Sequence, residues 1–296
     1  MEFKHLEVFI TLVDNLNFSV TAHELHISQP TVSLHIKQLE EELDTPLFIR
    51  STRELKITEA GLHLYEEAKD ILQHRNSIVE YFTHPNKKVL RIGVSTIPSC
   101  YIMPKLLQDF NKKYPDVLIH IEEKNSLATI KRIAEHKVDV GIVGMKTSEE
   151  NCVFSPIYKD EFIFITANTP YYQALQKTKP TLQQLVQEPL IMRESGSGVK
   201  HNTELILQAE HIDLEKLNIV ASIDNIEVIK HLTAQGIGTA FMSKIAAEDM
   251  IVQGRILSFP LENIPHQYRH LYLVWNKKIT KPKLLDYFLE HVLHAE

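Results

Sequence analysis

The sequence predicts an α/β protein that carries an all-α-type winged helix-turn-helix domain at its N-terminus. Residues 19–43 contain two short helical patterns joined by a tight turn. A longer amphipathic helical pattern runs from Glu59 to Phe82. From Val89 onward, apolar strand-like runs alternate with helical patterns, as they do in α/β proteins with a parallel sheet.

The stretch 19–43 has the local signals of a helix-turn-helix. Ser19 is a candidate N-cap for the first helix, and His26-Ile27 forms the turn. Ser28 can cap the second helix, because Pro30 then falls in its first turn, where the missing N–H costs nothing. Spacings of four, three and four residues give this helix one apolar face, formed by Val32, Ile36, Leu39 and Leu43.

The other face of this second helix is polar, with no acidic residue before Glu40. Such a face suits the major groove, where donors and acceptors discriminate base pairs. We expect base-edge contacts from Gln29, Thr31, Ser33 and His35 and a backbone contact from Lys37, with Ser28 and Pro30 beside them. The alternative is a surface helix of an ordinary globular domain.

Two short β-like runs follow, at 47–49 and 55–57, and they flank Arg50 and Arg53. This pattern predicts a two-stranded wing with arginines at its tip. Arginine in that place can reach phosphates or a narrow minor groove. A solvent-exposed hairpin is the alternative.

The overall charge weighs against nucleic-acid binding. The formal net charge is −6, and the first 58 residues hold five Lys/Arg against nine Asp/Glu, a net charge of −4. DNA binding is compatible with this charge only if the bases share one face and the acids point away from it. Four of the five bases do lie together between Lys37 and Lys56.

A long ordered motif, AHELHISQPTVSLHIKQLEEELDTPLFIR from Ala22 to Arg50, resembles the N-terminal domain of LysR-type transcriptional regulators. LNFS at 16–19 and KITEAG at 56–61 fit the same pattern. The resemblance implies a double-stranded DNA operator as partner, with RNA polymerase as a further candidate. It also implies a homodimer formed through the 59–82 helix, and a tetramer beyond that.

The layout of the remaining chain also resembles that family. We expect a winged helix-turn-helix at 1–58, a linker and dimerisation helix at 59–86 and an effector-binding domain at 87–296. The resemblance implies a type 2 periplasmic-binding-protein-like fold for the last domain, with lobe I at 87–163 and 269–296 and lobe II at 164–268. The two crossovers between the lobes are expected near 164–167 and 265–269.

Hydroxyl-rich segments follow several predicted strands and begin predicted helices, which is where open α/β domains bind ligands. Free N–H groups and hydroxyls at helix starts favour an anion. We therefore expect a small anionic effector, and the candidate contacts are Thr96, Ile97, Ser99, Cys100, Ser126, Gly144, Gly196, Ser197, Gly198 and Asn225. Ordinary N-caps and loops are the alternative. The Gly-Ser-Gly run at 196–198 is similar to one in sulfur-metabolism members of the family, although Val199-Lys200 follows it here instead of Thr-Arg.

No catalytic motif, metal-ligand cluster or cofactor motif is present, so we expect no catalytic residue, no metal and no cofactor. The two cysteines, Cys100 and Cys152, fit a reducing compartment, and Cys100 is better explained as a small cleft residue than as a redox switch. With no signal peptide and no membrane-spanning run, a cytoplasmic location is expected. The rival interpretation is an α/β solute-binding or enzyme domain with a helical appendage.

Overall fold

The computed structural model describes residues 1–50, 55–83, 88–278 and 283–294. Contacts divide the chain into two compact units, Met1–Asn86 and Lys87–Glu296. Each unit encloses its own apolar core.

The N-terminal unit is a helix-turn-helix followed by a wing, as predicted. Its elements are α1 (Phe3–Asn15), α2 (Phe18–Glu24), α3 (Gln29–Glu42), β1 (Phe48–Arg50), β2 (Leu55–Ile57) and α4 (Glu59–Thr83). The strands pair antiparallel, with Phe48 opposite Ile57. Side chains of α1, α3 and the first half of α4 share one core around the fully buried Phe9 and Leu12.

The caps of the two short helices differ in how well the sequence indicates them. Ser28 caps α3 as predicted, since its Oγ accepts the N–H of Thr31 at 3.3 Å. The prediction of Ser19 as the cap of α2 is wrong. Asn17 takes that place, because its side-chain oxygen accepts the N–H groups of both Ser19 and Val20, at 2.9 and 3.1 Å.

Helix α4 spans 25 residues, or about 37 Å, and its apolar residues serve two different surfaces. In its first half, Ala68 is buried and Ile71 packs against the core of its own unit. In its second half, Ile78, Val79 and Phe82 are exposed. The apolar residues of the helix expected to form the dimer are therefore divided, because Leu64, Ala68, Ile71 and Leu72 already pack within the unit.

Lobe I of the second unit is built on the parallel strands β3 (Lys88–Val94), β4 (Val117–Glu123) and β5 (Val140–Val143). Strand β11 (Tyr268–Asn276) runs antiparallel to β5 and joins β6 (Cys152–Ala167) to this sheet. The helices of this lobe are a π-helical turn (Pro98–Ile102), α5 (Met103–Lys113), α6 (Ser126–Ala134) and α12 (Lys283–Leu293).

Lobe II contains the second half of β6, which pairs with β9 (Ala240–Ser243) and β10 (Ile256–Pro260). Strands β7 (Leu190–Arg193) and β8 (Ile219–Ile223) form a separate parallel pair, which a bridge from Leu190 to Thr239 links to β9. Its helices are α7 (Pro170–Lys177), α8 (Leu182–Leu185), α9 (Gly198–Ala209), α10 (Ile226–Ala234) and α11 (Lys244–Val252), with a 3-10 turn at Leu214–Lys216.

Strand β6 belongs to both lobes. Glu161 still pairs with Tyr268 of β11, whereas Phe162 pairs with Ser243 of β9. The chain therefore crosses between the lobes a few residues before the expected 164–167. The return connection lies between β10 and β11, where it was expected.

Candidate DNA-binding and effector sites

The N-terminal end of α3 presents most of the residues expected at DNA. Ser28, Gln29 and Pro30 are exposed, as is Lys37 farther along, while Thr31 and Ser33 are half-buried. Leu34 lies among them and is 53% exposed, although the polar face predicted from the sequence did not include it. A branched apolar side chain in this position suits contact with a thymine methyl group.

His35 is less accessible than its place on the polar face suggested. Its ring packs against His5 of α1, with 4.9 Å between the ring centroids. The Nδ1 atoms of both rings are buried and have no hydrogen-bond partner among the described residues. A base contact from His35 therefore depends on Nε2 alone and remains a prediction.

The two wing arginines lie at or beyond the edge of the described residues. Arg53 lies outside the described residues, and for Arg50 only the backbone, at the end of β1, is described. Their contacts with DNA remain a prediction.

Five carboxylates of the N-terminal unit are engaged in contacts within it, which reduces the repulsion that its net negative charge would exert on DNA. Three of them form ion pairs: Glu7 with Arg75, Glu41 with Lys37, and Glu42 with the amino terminus. The other two accept hydrogen bonds: Asp14 from the hydroxyl of Tyr65, and Glu40 from the N–H groups of Leu47 and Phe48. Of these five, only Glu41 lies beside a residue expected at DNA. Its contact with Lys37 is a 3.3 Å exposed pair, so solvent and competing phosphates can displace it at little cost.

A small cavity lies between the two lobes of the second unit. It has an empty volume of about 230 Å³, including space open to solvent, and only about 10 Å³ in which the centre of a water molecule fits. That is room for about one water or for one compact polar group. Lobe I contributes Ser95, Thr96, Ile97, Asn125, Ser126 and Gly144, and the rest of the lining is Arg193, Ser197, Gly198, Val199 and Arg269.

Two helices begin at this cavity. Asn125 caps α6 by accepting the N–H of Ala128 at 3.0 Å, and Ser197 caps α9 by accepting that of Val199 at 3.2 Å. The hydroxyl oxygen of Ser126 accepts the N–H of Gly144 at 3.1 Å, which leaves its own O–H available to donate. The partial positive charge of both helix starts therefore falls on one small space.

Two buried arginines also line the cavity, and each is paired with a carboxylate. Arg193 donates to Glu194 through Nε and Nη2, at 2.8 and 3.0 Å. Arg269 donates through Nε to Asp160 at 2.9 Å. Burial lowers the pKa of Arg269, Asp160 opposes this shift, and the charge of Arg193 adds to it. An anion between them would relieve that repulsion.

The lobes touch along one rim of the cavity. The side-chain amide of Asn125 donates to the carbonyl of Ser195 at 3.3 Å, and the N–H of Leu127 donates to that of Gly196 at 3.1 Å. Gly196 has a φ of +83°, and a Cβ there would lie 3.1 Å from the Asn125 side chain. Glycine at position 196 therefore allows its backbone to approach and contact lobe I.

Six of the ten predicted effector contacts line the cavity, namely Thr96, Ile97, Ser126, Gly144, Ser197 and Gly198. Ser99 and Cys100 do not, because the chain coils into the π-helical turn at Pro98 and carries them past the opening. Gly196 lines a neighbouring groove instead. Asn225 is not among the residues that line the cavity; it caps α10 by accepting the N–H groups of Glu227 and Val228, and its contact with an effector remains a prediction.

Sequence reasoning missed Asn125, Arg193 and Arg269. Asn125 had a usable signal, as a capping residue directly before Ser126. The arginines had none, because each lies inside a strand pattern and only the fold brings them together.

Three further features bear on thiol chemistry, metal binding and membrane insertion. Cys100 is exposed as a residue, but partial burial of its thiol, together with the charges of Glu123 and Glu227, raises the thiol pKa, which disfavours the reactive thiolate. No group of three metal-ligating side chains occurs within the described residues. In the same part of the chain, no helix has both the length and the apolar character needed to cross a membrane.

Comparisons with known proteins agree with both units. A family model described as "Bacterial regulatory helix-turn-helix protein, lysR family" matches residues 3–62, and one described as "LysR substrate binding domain" matches residues 83–296. The HTH-type transcriptional activator CmpR of Synechocystis sp. is 28% identical over 292 residues, covering 96% of this chain and 94% of CmpR.

Solved structures share the fold. A Corynebacterium glutamicum OxyR C206 mutant matches with a TM-score of 0.60 at 21% identity, over 99% of this chain and 90% of that one. The Synechocystis PCC6803 CcmR regulatory domain in complex with 2-PG matches with a TM-score of 0.62 at 21% identity, over 69% of this chain and 95% of that one.

These matches replace the rival interpretation of a solute-binding or enzyme domain. They cover the DNA-binding unit and the two-lobed unit in one chain, and they indicate a regulator rather than an enzyme. The chain belongs to the LysR family of DNA-binding transcriptional regulators.

Proposed function

We propose that a small anionic metabolite binds between the two lobes and modulates operator binding or promoter activity. One observation carries the proposal: the N-termini of α6 and α9 and the guanidinium groups of Arg193 and Arg269 converge on one cavity. The complex of the CcmR regulatory domain with 2-PG supports a small-molecule effector.

The donors come from both lobes, so a bound anion favours the closed arrangement. Each charge-assisted hydrogen bond contributes about 1.5–3 kcal/mol, and micromolar affinity needs about 8 kcal/mol in total, after the cost of association. Ser126, Ser197 and either arginine supply about 4.5–9 kcal/mol before the cost of association, so the proposal also needs the backbone N–H groups at the starts of α6 and α9. A ligand that prefers the closed lobes shifts the population toward them, and that shift is the signal passed to DNA.

Assembly and cellular context complete the proposal. The exposed apolar residues in the second half of α4, Ile78, Val79 and Phe82, support a homodimer through this helix. A tetramer, contact with RNA polymerase and a cytoplasmic location extend the proposal by family resemblance.

Thermal shift of the full chain with small anions and with neutral molecules of matched size tests the effector class. We expect an effective anion to raise Tm by about 5 °C or more at about a hundredfold excess over its Kd. Ser126→Ala with Ser197→Ala should remove most of this shift, whereas Ser99→Ala, outside the cavity, should keep it. Stabilisation by neutral compounds alone would contradict the proposal.

A further inference from the structure

A buried ion pair joins the two connections between the lobes. Asp160 of β6 and Arg269 of β11 lie opposite each other in the antiparallel pairing, two residues before Phe162, where β6 changes partners. Their exposed fractions are 1% and 7%. The second carboxylate oxygen of Asp160 accepts the hydroxyl of Ser243 from lobe II. The pair is therefore fixed at the hinge.

The guanidinium of Arg269 is only partly satisfied by these contacts. Nε donates to Asp160 at 2.9 Å, and Nη1 makes a long 3.4 Å contact with the carbonyl oxygen of Gly144 in lobe I. The group also lies over the ring of Phe162, with 4.7 Å between its central carbon and the ring centroid. Nη2 is buried and has no hydrogen-bond partner among the described residues.

A buried, charged N–H without an acceptor is a costly arrangement that native structures rarely keep without a role. The other arginine of the cavity differs, because Nε and Nη2 of Arg193 already donate hydrogen bonds to Glu194. Arg269 is thus the cationic side chain of this lining with a buried donor left over.

We propose that Nη2 of Arg269 donates to an oxygen of the effector's anionic group, and that this group is a single carboxylate, phosphate or sulfate. This inference rests on the proposed effector cavity and assigns its charge-selecting residue. The small space for water centres limits the bound part to one compact group. Ser126, Ser197 and the starts of α6 and α9 supply the remaining donors.

The same contact couples binding to the hinge. Arg269 contacts Gly144 of lobe I and, through Asp160, Ser243 of lobe II. A ligand oxygen on Nη2 therefore adds a contact to a residue that already links both lobes. Gly144 allows this approach, because a Cβ there would lie 3.0 Å from Nη1 of Arg269.

Arg269→Lys tests the assignment in the full chain. Lysine keeps the charge and can still pair with Asp160, but it lacks the forked second donor. The matched control is Arg91→Lys, which alters the pair between Arg91 of β3 and Asp139, neither of which lines the cavity. Calorimetric titration with inorganic phosphate, inorganic sulfate, acetate and glycolate, with a melting curve for each variant, separates binding from folding.

We expect at least one anion to bind the wild type, Arg269→Lys to raise its Kd by about tenfold or more, and Arg91→Lys to leave it within about twofold. Binding of the inorganic ions alone identifies a free oxyanion, and binding of the carboxylates alone identifies the carboxylate head group of an organic metabolite. Equal affinity in the wild type and Arg269→Lys would overturn this inference and leave the proposed anionic effector standing. No binding of any anion to the wild type would overturn both.

If Arg269→Lys does not fold, Asp160→Asn with Arg269→Gln replaces it. This double variant removes both charges, so the formal charge around the cavity is unchanged. Lost anion binding in a folded double variant supports the role of Nη2 rather than of net charge. Retained binding contradicts it.

Discussion

Gly198 of lobe II approaches Gly144 of lobe I so closely that a Cβ on Gly198 would lie 2.7 Å from the Gly144 carbonyl oxygen. No real Cβ tolerates such a distance to a backbone atom, so the two backbones meet only because residue 198 has no side chain. Closure of the lobes over the cavity thus depends on a glycine at the first position of α9.

Gly198→Ala should hold the lobes apart. We expect weaker binding of any stabilising anion, by about tenfold or more, because donors from the two lobes can no longer converge. DNA binding without effector should persist, since the substitution lies in the other unit. Ser222→Thr, which adds one carbon at an exposed position of β8, is the control. Titration calorimetry showing wild-type affinity in Gly198→Ala would contradict this role.

The start of α3 should read base sequence. Gln29→Ala should cost about 1–3 kcal/mol of binding free energy at the operator and relax base preference. Lys37→Ala should weaken binding to all DNA sequences alike and lower by about one the slope of the logarithm of affinity against the logarithm of salt concentration. Gln183→Ala in α8 is a matched control for the first change. Mobility-shift titrations at several salt concentrations check both predictions. An unchanged operator affinity in both variants would show that this face of α3 does not contact DNA.

The two halves of α4 should respond differently to the same substitution. Ile78 has 60% of its side chain exposed, whereas Ile71 packs against the core of the N-terminal unit. Ile78→Glu should dissociate the dimer and keep the melting temperature of the unit, while Ile71→Glu should lower stability by about 2 kcal/mol or more. Light scattering and melting curves separate these outcomes; a dimeric Ile78→Glu would argue against an α4 interface.

A buried lysine should make lobe II sensitive to acid. Nζ of Lys230 contacts Asp249 at 2.9 Å, Glu227 at 3.0 Å and the hydroxyl of Tyr101 at 3.3 Å. Burial acts to raise the pKa of Asp249, but the hydrogen bonds from Lys230 and the backbone outweigh it and leave the pKa below 3.8. The stabilisation is therefore present above pH 3.8 and is lost progressively as the pH falls toward and through the lowered pKa of Asp249.

Lys230→Met should remove this dependence. Between about pH 5 and about pH 3, the melting temperature of the wild type should fall more steeply than that of the variant. Lys216→Met, in the exposed 3-10 turn, is the control. Parallel slopes for wild type and Lys230→Met would show that the cluster does not set the acid response.

Local signals account for the features that were predictable. Ser28 and Pro30 mark the start of α3, and Ser126 and Ser197 mark helix starts at strand ends, because capping and periodicity act over a few residues. Arg269 was not predictable, since its partner Asp160 is 109 residues away in sequence. The burial of Ile71 within its own unit and the position of Ser99 outside the cavity lining were not predictable for a related reason. A periodic pattern shows that a residue is covered or that a helix begins, but not what covers the residue or which turn precedes the helix.

We expect an anion in the cleft to change how this protein engages DNA. Fluorescence anisotropy and footprinting of the full chain on the intergenic region upstream of its own gene, with and without the anion that most raises its melting temperature, test this directly. We predict a shift in operator affinity or in the footprint for the wild type, and none for Ser126→Ala with Ser197→Ala. An identical affinity and footprint for the wild type at saturating anion would contradict the account.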